Sequence, residues 1–280
     1  MKKLAIAIAA IALIGTPAFA ADMPLKAPPP APAPVYNWTG FYVGGNVGYS
    51  WGKADTDFSA DPIIIDVPER PLVTLPGFAG SDSVKPHGII GGGQIGYNWQ
   101  YSPNWVAGVE ADIQASGEKA SNTFTNAFNV SPVPLTTVIG TAVTNYEAKI
   151  EWFGTLRGRI GYVWDRWMLY ATGGLAYGEV KIAGISTVSG TVLADTTSTF
   201  AVVTGFGHSQ INAGWTVGGG IEGSLVNNWT WKAEYLYMDL GALNDPDLPI
   251  ALLNASGGRV HTHTTFTDNI VRVGLNYQFH

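Results

Sequence analysis

Apolar and polar residues alternate with period two through eight separate stretches of this chain. The pattern is clearest between Gly214 and Gly241. There Trp215, Val217, Gly219, Ile221, Gly223 and Leu225 share one face, and Thr216, Gly218, Gly220, Glu222 and Ser224 share the other. After Val226-Asn227-Asn228 the alternation resumes, with Trp229, Trp231, Ala233, Tyr235 and Tyr237 opposite Thr230, Lys232, Glu234 and Leu236. Two such arms around a short polar break predict a β-hairpin. Each arm has about the 9–11 residues that a tilted strand needs to cross a bilayer, and Trp and Tyr mark both ends of the apolar face, where such rings prefer the headgroup level.

The same pattern predicts strands at 38–51, 87–100, 104–117, 145–162, 167–178 and 268–279. In the first, Phe41, Val43, Val47, Tyr49 and Trp51 oppose Tyr42, Asn46 and Ser50. In the fourth strand in chain order, 145–162, Ala148, Ile150, Trp152, Leu156 and Ile160 oppose Glu147, Lys149, Glu151, Arg157 and Arg159. Short turns at Tyr101-Ser102-Pro103, Trp164-Asp165-Arg166 and Val226-Asn227-Asn228 alternate with long Gly/Ser/Thr/Pro-containing segments at 52–86, 118–144, 179–209 and 240–267. All long connections therefore reach one rim. The expected fold class is all-β: an eight-stranded antiparallel up-and-down transmembrane β-barrel, with short periplasmic turns and long outer loops.

Charge sharpens this reading. The apolar faces carry no Lys, Arg, Asp or Glu in their central band, whereas the other faces collect Glu110, Asp112, Glu147, Lys149, Glu151, Arg157, Arg159, Glu222, Lys232, Glu234 and Arg272. A secreted soluble barrel would also alternate. Near balance of six acids and five bases fits ions pairing inside a narrow membrane barrel, and the aromatic fringes point the same way. Eight strands enclose a space just wide enough for side chains to fill, so these groups are expected to lock together across the lumen and to leave no general-diffusion pore.

The ends supply context. Lys2-Lys3, an apolar run from Leu4 to Ile14 and Ala18-Phe19-Ala20 read as a signal peptide, residues 1–20. Residues 21–37 hold six of the 17 prolines and are expected to form an extended periplasmic tether ahead of the barrel, 38–280. No later stretch reaches eighteen consecutive apolar residues, so helical spans are excluded although 46% of residues are hydrophobic. The absence of cysteine excludes disulfides and thiolate metal sites, and the net charge of −6 argues against nucleic acid. His87, His208, His261, His263, Asp245 and Asp247 are the catalytic or metal candidates. They show no recognisable triad spacing, so neither catalysis, nor a metal, nor a cofactor is expected. Apolar patches at 62–65 and 248–253 fall in long loops, where they either pack loop against loop or form a contact surface.

The segments WTGFYVGGNVGYSW behind a Pro/Ala tether, ATGGLAYG, EYLYMDLG and the closing VRVGLNYQF resemble the alphaproteobacterial outer-membrane immunogenic protein (porin-like surface antigen) family. Its barrel is similar to the eight-stranded OmpA-type transmembrane domain. The resemblance covers residues 21–279 and implies an abundant structural envelope protein of the cell outer membrane without catalysis. Expected partners are outer-membrane lipid and lipopolysaccharide. Arg272, Gly274, Tyr277 and Phe279 resemble the terminal signal read by the barrel-assembly machinery, and His280 departs from the usual terminal Phe. A mature Ala21-Asp22 terminus implies attachment to peptidoglycan. The readings left open beside the structural one are a narrow porin for small solutes and a surface adhesin or phage receptor.

Overall fold

The computed structural model describes residues 36–61, 63–65, 73–75, 78–133, 136–193, 197–244, 248–249, 255–256 and 259–279. The expected signal peptide, residues 21–35 with Ala21 and Asp22, Asp245, Asp247, residues 250–253 of the second apolar patch, Pro62 and His280 lie outside the described residues.

The described residues are almost entirely strand. Eight long strands follow one another: β1 (Gly40–Ala60), β2 (His87–Ser102), β3 (Trp105–Val133), β4 (Thr136–Trp164), β5 (Trp167–Leu193), β6 (Ser198–Ser224), β7 (Trp229–Asn244) and β8 (Arg259–Phe279). Each pairs antiparallel with the next. β8 then pairs with β1, from Phe41 opposite Phe279 to Ala60 opposite Val260, so the strands close into a ring. Closure leaves no unpaired edge in the lower part of the strands, where backbone groups facing lipid would find no water to bond.

The turns at one rim follow from their residues. Asp165 joins β4 to β5 at φ 54°, and Asn227 and Asn228 join β6 to β7 at φ 53° and 67°. Asp and Asn accept this left-handed region because their short polar side chains can bond locally. Asn104, before β3, donates from Nδ2 to the Val163 carbonyl at 2.9 Å and accepts from the Val163 amide at 2.8 Å, tying two turns together.

Apolar side chains cover the outside of the lower ring. Val47, Ile95, Val109, Ile113, Leu156, Ile160, Leu169, Leu175, Val273 and Leu275 are all exposed. Aromatic rings fringe this band. Trp99 lies beside Tyr101, Trp105 against Tyr162 and Trp229 against Tyr277 at the short-turn rim, and Tyr49 beside Trp51, Trp152 against Tyr177 and Trp215 against Tyr237 at the other. From Tyr162 to Trp152 is about ten residues. At about 3.3 Å per residue and a tilt of about 40°, the band is about 25 Å tall, the height of a bilayer's apolar layer.

The other rim differs from expectation. Segments 118–144 and 179–209, read from sequence as loops, are mostly strand: β3 pairs with β4 out to Val133 opposite Thr136, and β5 pairs with β6 out to Val192 opposite Ser198. β3 to β6 thus continue past the aromatic fringe as a sheet about 15 residues, or about 50 Å, long. Thr, Val and Ile recur throughout it, and such β-branched side chains suit a pleated surface. Both of its faces meet water over much of its length, so the period-two contrast that marks a half-buried strand fades.

Candidate functional site

Inside the lower ring lies a cluster of charged side chains from five strands. Arg157 of β4 is bonded to Glu110 of β3, to Asp112 at 3.0 Å and to Glu234 of β7 at 2.9 Å. Arg272 of β8 reaches Glu234 at 2.7 Å and Asp112 at 2.9 Å. Lys232 donates to both oxygens of Glu110 at 2.8 and 2.9 Å, and Arg159 meets Glu222 of β6 at 3.0 Å. Four carboxylates therefore face four cations, all of them buried. Taking a charge out of water costs several kcal/mol unless it is paired and hydrogen-bonded.

Neutral groups bond many of the remaining sites. Tyr42 and Tyr170 donate to Glu110 and Glu234 at 2.7 and 3.1 Å, Thr155 donates to Asp112 at 2.7 Å, and Thr230 and Asn276 donate to Glu222 at 2.5 and 3.0 Å. The Arg159 guanidinium also sits over the Tyr42 and Tyr170 rings, 4.8 and 5.3 Å from their centroids. Glycine makes this possible: a Cβ on Gly96 would land on the Tyr42 ring.

Apolar layers close both ends of the cluster. At the short-turn rim Trp38, Val106, Val163, Met168 and Tyr170 pack together with Tyr36. Residues 36–38 are fastened there: the Tyr36 hydroxyl donates to Gln278 at 2.8 Å, Gln278 Nε2 donates to the Asn37 carbonyl at 3.3 Å, and the Trp38 amide donates to Gln100 at 3.0 Å. Burial in this mouth, and then the charge of Glu222, pushes the Tyr36 phenol up to about 12, so it remains a donor. Toward the other rim Ile90, Phe153, Ala176, Leu236, Met238, Phe266 and Ile270 form a second, larger apolar layer. Glu118 and Asp268 are buried at its level, and Glu118 accepts from Ser50 at 2.8 Å.

Eight of the eleven expected lumen residues lie in the network: Glu110, Asp112, Arg157, Arg159, Glu222, Lys232, Glu234 and Arg272. Glu147, Lys149 and Glu151 do not, and the expectation is corrected for them. The β4–β5 ladder shifts between Ile150 and Trp152, and the β3–β4 ladder between Ala115 and Glu118. The extra residue Glu151 inverts the parity of β4 above it, whereas β3 keeps Gln114 and Glu118 inward through its own shift. Ala148 and Ile150 face inward and are buried, whereas Lys149 and Glu151 form a surface pair at 2.7 Å and Glu147 is exposed.

Of the terminal-strand signal, Arg272 is absorbed into the network, while Tyr277 and Phe279 meet edge to face outside, 5.1 Å between centroids. Gly274 lies opposite Asn46 of β1 and Lys232 of β7. His261 of β8 meets Asp61, just past the end of β1, at 3.3 Å. Among the described residues no group of three or more His, Asp or Glu could hold a metal. Sequence reasoning missed Tyr42, Tyr170 and the apolar layers. Tyr42 was visible as an aromatic residue on an otherwise polar face.

Residues 6–279 match the family model described as outer membrane protein beta-barrel domain. The 31 kDa outer-membrane immunogenic protein of Brucella melitensis is 39% identical over 283 residues, covering 100% of both chains. The 22 kDa outer membrane protein of Rhizobium leguminosarum bv. viciae is 29% identical over 248 residues, covering 88% of this chain and 80% of its own. Among solved structures, the attachment invasion locus protein of Yersinia pestis covers 81% of this chain and 98% of its own, at 11% identity and a TM-score of 0.27.

Proposed function

We propose that this chain, which belongs to the outer membrane protein β-barrel domain family, is a sealed eight-stranded transmembrane barrel that stabilises the cell envelope and carries a long-stranded sheet outside the cell. The observation that supports this most is the filled lumen. A balanced ion network occupies its middle, and apolar layers built on Trp38 and on Phe153, Leu236 and Ile270 lie at either end. A water-filled path would hydrate these charges separately and would not need so many direct bonds between them. Purified, heat-modifiable protein in planar bilayers is expected to give no large, stable single-channel steps. Such steps would overturn the sealed reading in favour of a narrow porin.

In this reading the short-turn rim and both chain ends face the periplasm, and the extension of β3 to β6 faces outward. Protease added to whole cells should therefore cut within 118–144 or 179–209 before any short turn. Arg272, Gly274, Tyr277 and Phe279 form the strand read by the assembly machinery. The proline-rich segment 21–37 tethers the barrel to the wall through the α-amino group of Ala21, next to Asp22. Trypsin and then muramidase digestion of washed sacculi should release muropeptides carrying residues 21–26. An unmodified Ala21 amine throughout the population would sink that part while leaving the sealed barrel standing.

A further inference from the structure

The strand register brings separated basic residues into one row. His87 of β2 is paired with Lys119 of β3, Lys119 with Lys149 of β4, and Lys149 with Lys181 of β5. All four side chains point outward, because the inward neighbours on these strands are Glu118, Ala148, Ile150 and Val180. The β4 bulge that removes Lys149 from the lumen is what sets it in this row. With the tilt of the strands, the row climbs from the level of the aromatic fringe at His87 to roughly 10 Å above it at Lys181.

Like charges directly opposite one another on adjacent strands are destabilising. Glu151 offsets part of this, lying 2.7 Å from Lys149 and 3.6 Å from Lys181, but one carboxylate serves two cations. Glu179 below, which accepts from Trp152 Nε1 at 2.9 Å, and Glu147 above also act on Lys149, so the least compensated cation of the row is Lys119. Lys119 is exposed and has no ion pair among the described residues. The row is also one-sided. Around the rest of the ring the outward positions just above the fringe are Ser209, Ile211, Asp239, Thr265 and Thr267, and Lys53 is held by Asp55 at 2.8 Å.

We propose that Lys119, Lys149 and Lys181 form a binding site for the phosphorylated headgroup of an outer-leaflet lipid. The ring surface beneath them supplies the apolar contact, with Ile113, Leu156, Leu175, Trp152 and Tyr177 on the same strands for the lipid's chains. The charge complementarity sits where headgroup phosphates lie, just outside the aromatic fringe, and a phosphate between Lys119 and Lys149 relieves the repulsion that Glu151 leaves. The site gives the barrel a preferred lipid on its β2–β5 side and none on its β6–β8 side.

The proposal rests on the outward orientation above, which the whole-cell protease experiment tests separately, so the two can fail independently. The full-length folded protein and the variant Lys119→Gln/Lys149→Gln/Lys181→Gln would be mixed in detergent with bis-phosphorylated lipid A or with its dephosphorylated form. Bound lipid is then counted by native mass spectrometry. Heat-modifiable mobility checks that the variant folds, and Lys53→Gln is the control. The native protein should retain the phosphorylated lipid at least about tenfold better than the dephosphorylated one, the triple variant should lose that preference, and Lys53→Gln should keep it. Equal retention of both lipids by the native protein, or an undiminished preference in the folded triple variant, would overturn the proposal.

Discussion

Replacing Arg157 with methionine keeps most of the side chain's volume and removes its charge. Arg157 is bonded to Glu110, Asp112 and Glu234 and donates from Nε to Thr155 at 2.9 Å, with none of its side chain exposed. The substitution leaves Glu110, Asp112, Glu222 and Glu234 facing only Arg159, Lys232 and Arg272. Breaking a buried pair by removing one partner costs about 3–5 kcal/mol, whereas removing both partners together is often far milder. Arg157→Met should therefore lower the folding equilibrium constant by about a hundredfold or more, at about 1.4 kcal/mol per decade. Asp112→Asn, which takes one carboxylate from both Arg157 and Arg272, should be costly for the same reason. The double variant restores the balance of charge, so its cost should fall short of the sum by about 2 kcal/mol or more. Urea unfolding in lipid vesicles, read by tryptophan fluorescence and by heat-modifiable mobility, measures all three. Single variants costing under about 1 kcal/mol, with an additive double, would mean that the charges are hydrated one by one and that the lumen is wet.

Three other substitutions probe separate parts of the seal. Gly96→Ala drives a methyl group into the Tyr42 ring and pushes its hydroxyl off Glu110, so a loss of about 1–3 kcal/mol is expected in the same urea assay. Trp38→Ala should cost about 3–5 kcal/mol yet leave bilayer currents closed, because the ion network and the Phe153–Leu236–Ile270 layer remain above it; large steps in this variant would show that Trp38 alone is the gate. On the outer extension, Tyr146 donates to Asp82 at 2.5 Å and Asn122 donates to it at 2.9 Å, pinning residues 78–84 against β3 and β4. The Tyr146 hydrogen bond holds the Asp82 carboxyl below its usual range, while burial and then the hydrogen bond to Asp82 raise the Tyr146 phenol. A depressed carboxyl contributes above its unfolded value, near pH 4, and loses that contribution as pH falls through the folded value. Tyr146→Phe should accordingly speed amide exchange in 78–84 at pH 7, with the difference from native protein vanishing in strong acid.

Strand parity carried much of the architecture. Counting in twos through Glu110 and Asp112, through Arg157 and Arg159, and through Glu222, Lys232, Glu234 and Arg272 assigns all eight network residues to one side of the wall. Asp165 and Asn227-Asn228 marked two of the turns. Sequence alone could not reveal which cation meets which carboxylate, because those pairs cross the lumen between residues as distant as Asp112 and Arg272. The apolar ends of the lumen were hidden for another reason. Ile90, Leu236, Met238 and Ile270 occupy inward positions, and an apolar residue on the face expected to be polar looks like noise until its neighbours across the ring are known. The outer extension escaped because Ser, Thr and Gly serve loops and water-washed strands alike.

The bulge on β4 offers the sharpest test of where parity breaks. Counted back from Arg157, Glu151, Lys149 and Glu147 would face the lumen and Ile150 would face lipid. In the ladder, Ile150 is opposite Val180 while Trp152 is opposite Glu179, so one residue of β4 has no counterpart on β5. Ile150 then packs inside with Phe153, Val180 and Ala148. Its partner on β3 is Glu118, so Ile150→Glu would bury a carboxylate beside another one, with Asp268 at the same level and no base of the network near. Burying an unpaired charge in this way is among the few changes that cost more than about 3 kcal/mol. Glu147→Ile, on an exposed outward position, should stay within about 0.5 kcal/mol. If the lower parity ran on unbroken, the ranking would reverse: Glu147→Ile would strip a lumen cation of its partner, and Ile150→Glu would place a carboxylate near the headgroups at small cost. Measuring the two variants side by side by urea unfolding in vesicles decides between the registers, and a larger loss for Glu147→Ile would refute the bulge.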